Sequence, residues 1–267
     1  MPIFAASKTT YMAIHINIIG AGNMAYQLTR AFYNHPEVQL QQLYSRSELS
    51  SEFNIFEIEK THHLNFLRPA DVCIIAVKDE AIAEISKKLP FENQLVVHTS
   101  GNTSIEAIDS KNRRGVFYPL QTMNKQTLVD FNSVPFCLEA ENTNDFYLLQ
   151  CLALLLSTKT YALNSYQRRI LHLAAVFMNN FSNHLVYISE QICKKNEVPF
   201  EILQPLLIET FAKLQNTSAY DAQTGPARRN DSLTIANHLA MLDNNNYKEI
   251  YEIITNSIIN TYGRKEL

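Results

Sequence analysis

The sequence predicts an α/β chain: a doubly wound, mostly parallel sheet over residues 1–163, followed by an all-α region over residues 164–267. Three observations carry this prediction. Apolar, β-branched runs of strand length alternate with helical periodicity through the first part, as strands covered on both faces require. From about Asn164 the strand signal stops and helical spacing takes over. Glycine is scarce, six in 267 residues, about a third of average usage. Two of the six fall together directly after the first strand-like run.

Composition excludes several classes. At 46% apolar the chain can bury a sizeable core, which rules out global disorder. A net charge of -3, with arginine doublets scattered rather than striped, argues against a nucleic-acid partner. Cys73, Cys137, Cys151 and Cys193 form no C-x-x-C pair, so neither a disulfide framework nor a metal site is expected. No apolar run approaches the ~20 residues of a spanning helix, and no secretory signal opens the chain. A cytoplasmic location without membrane association is the expectation. Residues 1–11 fit no element and are expected to be a loose extension.

The elements follow in order. Ile14-His15-Ile16-Asn17-Ile18-Ile19 reads as a buried strand, and Met24, Leu28, Ala31 and Phe32 recur at helical spacing after it. Between them stands Gly20-Ala21-Gly22-Asn23-Met24-Ala25, a G-x-G-x-x-A turn in the strand–turn–helix setting that gives this motif meaning. Its first glycine permits the sharp turn, its second admits a pyrophosphate close to backbone amides, and Ala25 allows close helix–sheet packing. The helix N-terminus then favours the phosphates. A Rossmann-like dinucleotide-binding domain is expected.

Val38–Tyr44 reads as the second strand and runs into Ser45-Arg46-Ser47. An NAD-preferring site places an acid near here for the ribose 2′-hydroxyl. Arg46 between two hydroxyls suits a 2′-phosphate instead, so NADP(H) is the expected cofactor. Residues 71–77 and 94–98 read as further strands, with a helix over 80–89 stopped by Pro90. Ligands sit beyond the carboxyl ends of such strands, so Ala76, Val77, Lys78, Thr99, Ser100 and Gly101 join the cofactor set, and His98 faces the cleft. The sheet continues through 115–119 and 134–138.

These motifs carry a resemblance. Gly20 to Ala25 with Asp71-Val72-Cys73-Ile74-Ile75-Ala76-Val77-Lys78 resembles pyrroline-5-carboxylate reductases and the wider 6-phosphogluconate and β-hydroxyacid dehydrogenases. Val97–Gly101, Phe117–Thr122, Leu171–Asn179 and Thr224–Asp231 narrow it to a largely uncharacterised family whose members are usually called "putative NADP oxidoreductase". The resemblance runs from Ile14 nearly to the C-terminus. It implies a Rossmann-like domain joined to a helical domain of unknown function that closes a substrate cleft and makes a homodimer. Three departures limit the transfer of a reaction. Tyr118 stands where many members have His before Pro-Leu-Gln-Thr. No Lys precedes Asn179 or Asn180 at i−4, so the dehydrogenases' Lys-x-x-x-Asn is missing. The Ser-Pro-Gly-Gly-Thr stretch of the pyrroline-5-carboxylate reductases is absent too.

In the helical half, a long helix from about Asn164 to Asn196 is expected, then helices near 200–215, 232–242 and 246–262. On α periodicity His172, Val176, Asn179 and Asn183 share one face. His172 is the expected proton donor, with His98 or Tyr118 as rivals. Asn179, Asn180 and Gln121 are expected to bind substrate. Arg229 with Asp231 suits a carboxylate or phosphate clamp, although Asp231 serves equally as a helix cap. The expected function is hydride transfer between NADP(H) and a small carbonyl or imine held between the domains. The alternative is an NADP(H) sensor without chemistry.

Overall fold

The computed structural model describes residues 13–262, and the expected loose extension, residues 1–11, lies outside them. Eight strands form one sheet: β1 (Ile14–Ile19), β2 (Val38–Tyr44), β3 (Glu59–Thr61), β4 (Val72–Ile75), β5 (Leu95–His98), β6 (Arg113–Pro119), β7 (Phe136–Ala140) and β8 (Thr160–Ala162). Their order is β3-β2-β1-β4-β5-β6-β7-β8. Neighbours run parallel except β6 and β7, which are antiparallel. The chain leaves β1 towards β2 and returns to its other side at β4, which makes the β1–β4 boundary the topological switch point.

Alternation along each strand covers both faces. Ile16, Ile18, Val72 and Ile74 pack with Leu28 and Phe32 of α1 (Asn23–Tyr33) and with Leu149 and Leu152 of α3 (Thr143–Leu154). Ile19, Cys73 and Ile75 pack on the opposite side with Ile82 of α2 (Ile82–Lys88). Fully burying a Leu or Phe contributes about 2 kcal/mol, so α1 is held mainly by that apolar stripe. Asn142 caps α3 by accepting from the Asp145 amide. A capping box of Asn164 and Gln167 starts α4 (Ser165–Ala175).

The chain packs as two compact units, the first ending at Val176 and the second beginning at Phe177. Residue 163, the expected boundary, is where the sheet ends. The first unit nevertheless keeps α4, because Arg168 of that helix is completely buried in it. The second unit holds α5 (Ser182–Lys195), α6 (Gln204–Lys213), the short α7 (Ala219–Ala222), α8 (Ser232–Met241) and α9 (Asn245–Tyr262). Val176–Phe181 winds as a π-helix, so the α periodicity behind the expected His172–Val176–Asn179–Asn183 face does not hold there. Among the described residues no helix is long and apolar enough to cross a membrane.

Candidate functional site

The glycine turn sits at the carboxyl end of β1. Gly20 adopts φ +139°, and a Cβ there would lie 2.1 Å from the Ala76 carbonyl oxygen, so only glycine fits. Gly22 caps α1 with no side-chain hydrogen bond, and a Cβ there would meet nothing within 4 Å. The first turn of α1 carries no acidic residue. Amides with no side-chain cap, the positive end of the helix dipole and open space beside Gly22 together fit an anionic phosphate group.

The neighbouring strand ends meet the turn. Gly20 N–H donates to the Tyr44 carbonyl at 2.8 Å, Ala76 N–H to Ile19 at 2.8 Å, and Thr99 N–H to Ile75 at 3.2 Å. The expected cofactor residues thus gather at the carboxyl ends of β2, β1, β4 and β5. Several have their side chains committed elsewhere. Ser45 donates to the Ser47 carbonyl at 2.6 Å, which shapes the turn that leaves Arg46 exposed. Asn23 donates to the Met123 carbonyl at 2.9 Å. Ser100 Oγ accepts from the Asn102 and Thr103 amides at 3.1 and 2.9 Å. Lys78 is exposed and Val77 half-buried. Arg46 lies near enough to Glu84 to help hold that carboxyl below its ordinary range, after the larger effect of Lys88. His62, given no role from sequence, touches the Ser45 carbonyl through Nδ1 at 2.8 Å. It lines a shallow depression with Tyr44, His63 and Lys88.

His98, expected as a rival proton donor, is completely buried. Its Nδ1 accepts from the Ser100 amide at 3.2 Å, and its Nε2 donates to the Ser104 carbonyl at 3.2 Å. The backbone amide fixes that tautomer. Burial, followed by the charge of Arg168, pushes the imidazole down to about 4. A neutral ring with both nitrogens engaged shapes the turn after β5, and its complete burial opposes the proton-donor role expected of it.

Tyr118, His172 and Gly101 do come together, from β6, α4 and the turn after β5. The Tyr118 hydroxyl lies 3.4 Å from His172 Nδ1, with ring centroids 6.4 Å apart. A hydrogen bond of that length is weak. A Cβ on Gly101 would fall 2.8 Å from the Tyr118 hydroxyl oxygen and 2.9 Å from His172 Nδ1, so the third residue leaves room for the other two. Burial, then the Cys137 sulfur, pushes the phenol up to about 12, and Tyr118 stays protonated across the physiological range. It is 8% exposed, whereas His172 is half-buried and reachable.

Beneath this group lies Arg168, passed over in the sequence as half of an arginine doublet. It is 0% exposed and pairs with the Glu139 carboxylate. Its Nε donates to the Ser100 carbonyl at 3.1 Å, and its Nη2 to the Thr103 carbonyl and to Ser165 Oγ at 3.3 Å. The partner Glu139 lies 29 residues away in sequence, so the only local signal is the i, i+4 spacing of Arg168 and His172.

The remaining candidates are dispersed. Gln121 is exposed and accepts from the Thr122 amide at 2.8 Å. Asn179 and Asn180 are exposed on the π turn. Asp231 accepts from the Thr234 amide at 3.1 Å and its hydroxyl at 2.8 Å. These bonds cap α8 and lower its carboxyl below the usual range, so the cap is the role it fills. Arg228 stacks over Tyr262 at 5.0 Å, and Arg229 is exposed.

The family described as a domain of unknown function (DUF2520) matches residues 134–258. No protein of curated function matches the chain. A Bacteroides fragilis protein called a "putative NADP oxidoreductase" is 38% identical, with a TM-score of 0.82 over 94% of this chain and 99% of that one. The fold is shared with an imine reductase from Myxococcus stipitatus in complex with NADP+, at 14% identity and a TM-score of 0.63 over 93% and 96% of the two chains. It is shared too with a Plasmodium falciparum pyrroline carboxylate reductase with NADP bound, at 16% identity and a TM-score of 0.56 over 93% and 97%.

Proposed function

The chain belongs to the family of the Bacteroides fragilis protein called a "putative NADP oxidoreductase", and from that premise we propose that it is an NADP(H)-dependent oxidoreductase acting on a small carbonyl or imine. The observation that carries the reading is the meeting of Tyr118, His172 and Gly101 towards the carboxyl ends of the parallel strands, where the glycine turn also lies. Gly20, Gly22 and the first-turn amides of α1 would hold the pyrophosphate, and Arg46 the 2′-phosphate. The bound dinucleotide supplies the hydride.

The protein supplies the proton. In its acid form His172 carries protons on both ring nitrogens, with Nδ1–H directed to the Tyr118 oxygen and Nε2–H to the substrate. Loss of the Nε2 proton to the substrate oxygen or nitrogen leaves a neutral imidazole whose Nδ1–H the phenol oxygen still accepts. Tyr118, held neutral by burial, orients the ring and fixes its tautomer. The exposed amide of Gln121, in the same unit as the pair, is the proposed substrate contact there. Among the described residues of the second unit few side chains are buried, which supports a homodimer that covers the exposed apolar ones.

Consumption of NADPH against a panel of small carbonyls and cyclic imines tests the reading. His172→Ala is expected to keep NADPH affinity within about threefold and to lose at least ~100-fold in turnover. Equal turnover in the variant removes His172 from the chemistry. NADPH binding without consumption for any substrate favours a sensor.

A further inference from the structure

We propose that Arg168 is the positioning residue of the Tyr118–His172 pair, its buried guanidinium locking the Ser100–Thr103 turn and β7 onto α4 one helical turn before His172. The proposal rests on the reading of that pair given above, but its test does not.

The geometry is that of a three-edged clamp. One edge of the guanidinium meets the Ser100 carbonyl at 3.1 Å, another the Glu139 carboxylate, and a third the Thr103 carbonyl with Ser165 Oγ at 3.3 Å. Glu139 in turn accepts from the Ser165 amide at 3.0 Å and its hydroxyl at 2.8 Å, which fastens β7 to the first turn of α4. Each fastened element carries or adjoins a member of the pair. The turn presents Gly101 against both rings. β7 pairs with β6 so that Tyr118 stands opposite Cys137, two residues from Glu139. His172 follows Arg168 at i+4 and so shares its helix face.

A planar fork with fixed donor directions can join three elements at set angles, and an ammonium on a flexible stem cannot. Desolvating the charge is costly, and an apolar side chain of similar volume would fill the space without that cost. Placement of the turn and β7 relative to α4 is what the guanidinium adds. Its charge acts too: Arg168 lowers the Tyr118 hydroxyl against the larger upward push of burial.

The test follows the His172 ring by nuclear magnetic resonance of the full-length protein labelled with ¹⁵N-histidine, needing neither substrate nor cofactor. The signal is assigned by its loss in His172→Gln, and Tyr118→Phe defines the ring nitrogens without the phenol. Arg168→Lys keeps the charge without the fork. The double variant Arg168→Met with Glu139→Gln removes both charges, leaving neither buried alone. Both variants are expected to melt cooperatively and to move the His172 nitrogen shifts to those of Tyr118→Phe. Wild-type His172 shifts in either folded variant overturn the proposal. So does failure of both to melt cooperatively, since Arg168 would then be a determinant of folding. Absence of NADPH turnover in the wild type defeats the hydride-transfer reading and leaves the His172 shifts as a separate result.

Discussion

At His98 the imidazole is sealed from water and titrates at about 4 in the folded chain, against 6.5 ordinarily. The unfolded state therefore binds a proton first as pH falls. The stabilising contribution is complete above pH 6.5 and is lost progressively towards pH 4, by about 3 kcal/mol in all. Chemical denaturation of wild type and His98→Gln at pH 7 and pH 5 measures it. The wild type is expected to lose roughly 2 kcal/mol more than the variant over that interval; equal losses would mean that the ring is not kept neutral by burial. Gly20→Ala, with φ +139° and a backbone oxygen 2.1 Å from the new carbon, is expected to cost more than ~2 kcal/mol. A stable Gly20→Ala protein would contradict the turn described. These residue roles were unevenly legible in the sequence. Gly20 and Gly22 stand out because their G-x-G-x-x-A spacing lies between a strand-like run and a helical one, and His172 because an imidazole among amides is unusual on an apolar helix. His98 looked the same at a strand end, and only its burial separates the two.

Among the elements, the parallel strands β1, β4 and β5 stand out as mostly apolar runs because both faces are covered, whereas β2 carries three glutamines. The edge strands β3 and β8 do not stand out. Glu59–Thr61 and Thr160–Ala162 are three residues each and largely exposed, which leaves no hydrophobic pattern to read. Helix α3 ends in an apolar run that suits a strand as well as a helix. Composition gives no warning of the π turn at Val176–Phe181. Helix α4 was expected, but its place in the first unit depends on Arg168 and Glu139, a pairing that no local pattern predicts. Arg168→Met alone leaves Glu139 without its countercharge and is expected to cost about 3 kcal/mol or more. Adding Glu139→Gln should recover part of that, because no charge is then left buried without a partner. Urea denaturation of the single and double variants decides it, and a double variant less stable than Arg168→Met would refute a buried ion pair at this joint.

Across the whole molecule, the two units differ in how they bury themselves. The first has a layered core on both faces of its sheet. Among the described residues of the second, only Ile188, Ala227 and Thr255 are buried, while Met178, Ile208, Leu233, Met241 and Ile253 are each more than 60% exposed. Apolar surface on that scale marks an interaction face, and a second copy is the proposed cover. Light scattering on the purified protein is expected to give twice the 30.6 kDa chain mass; a monomer at micromolar concentration would contradict it. The Gly20–Gly22 turn and Arg46 are the proposed NADP(H) site. Calorimetric titration with NADPH and separately with NADH, on wild type and Arg46→Ala, tests it most directly. NADPH is expected to bind more tightly than NADH, and Arg46→Ala to weaken NADPH by at least ~10-fold while NADH binding is unchanged. Binding of neither nucleotide would contradict it.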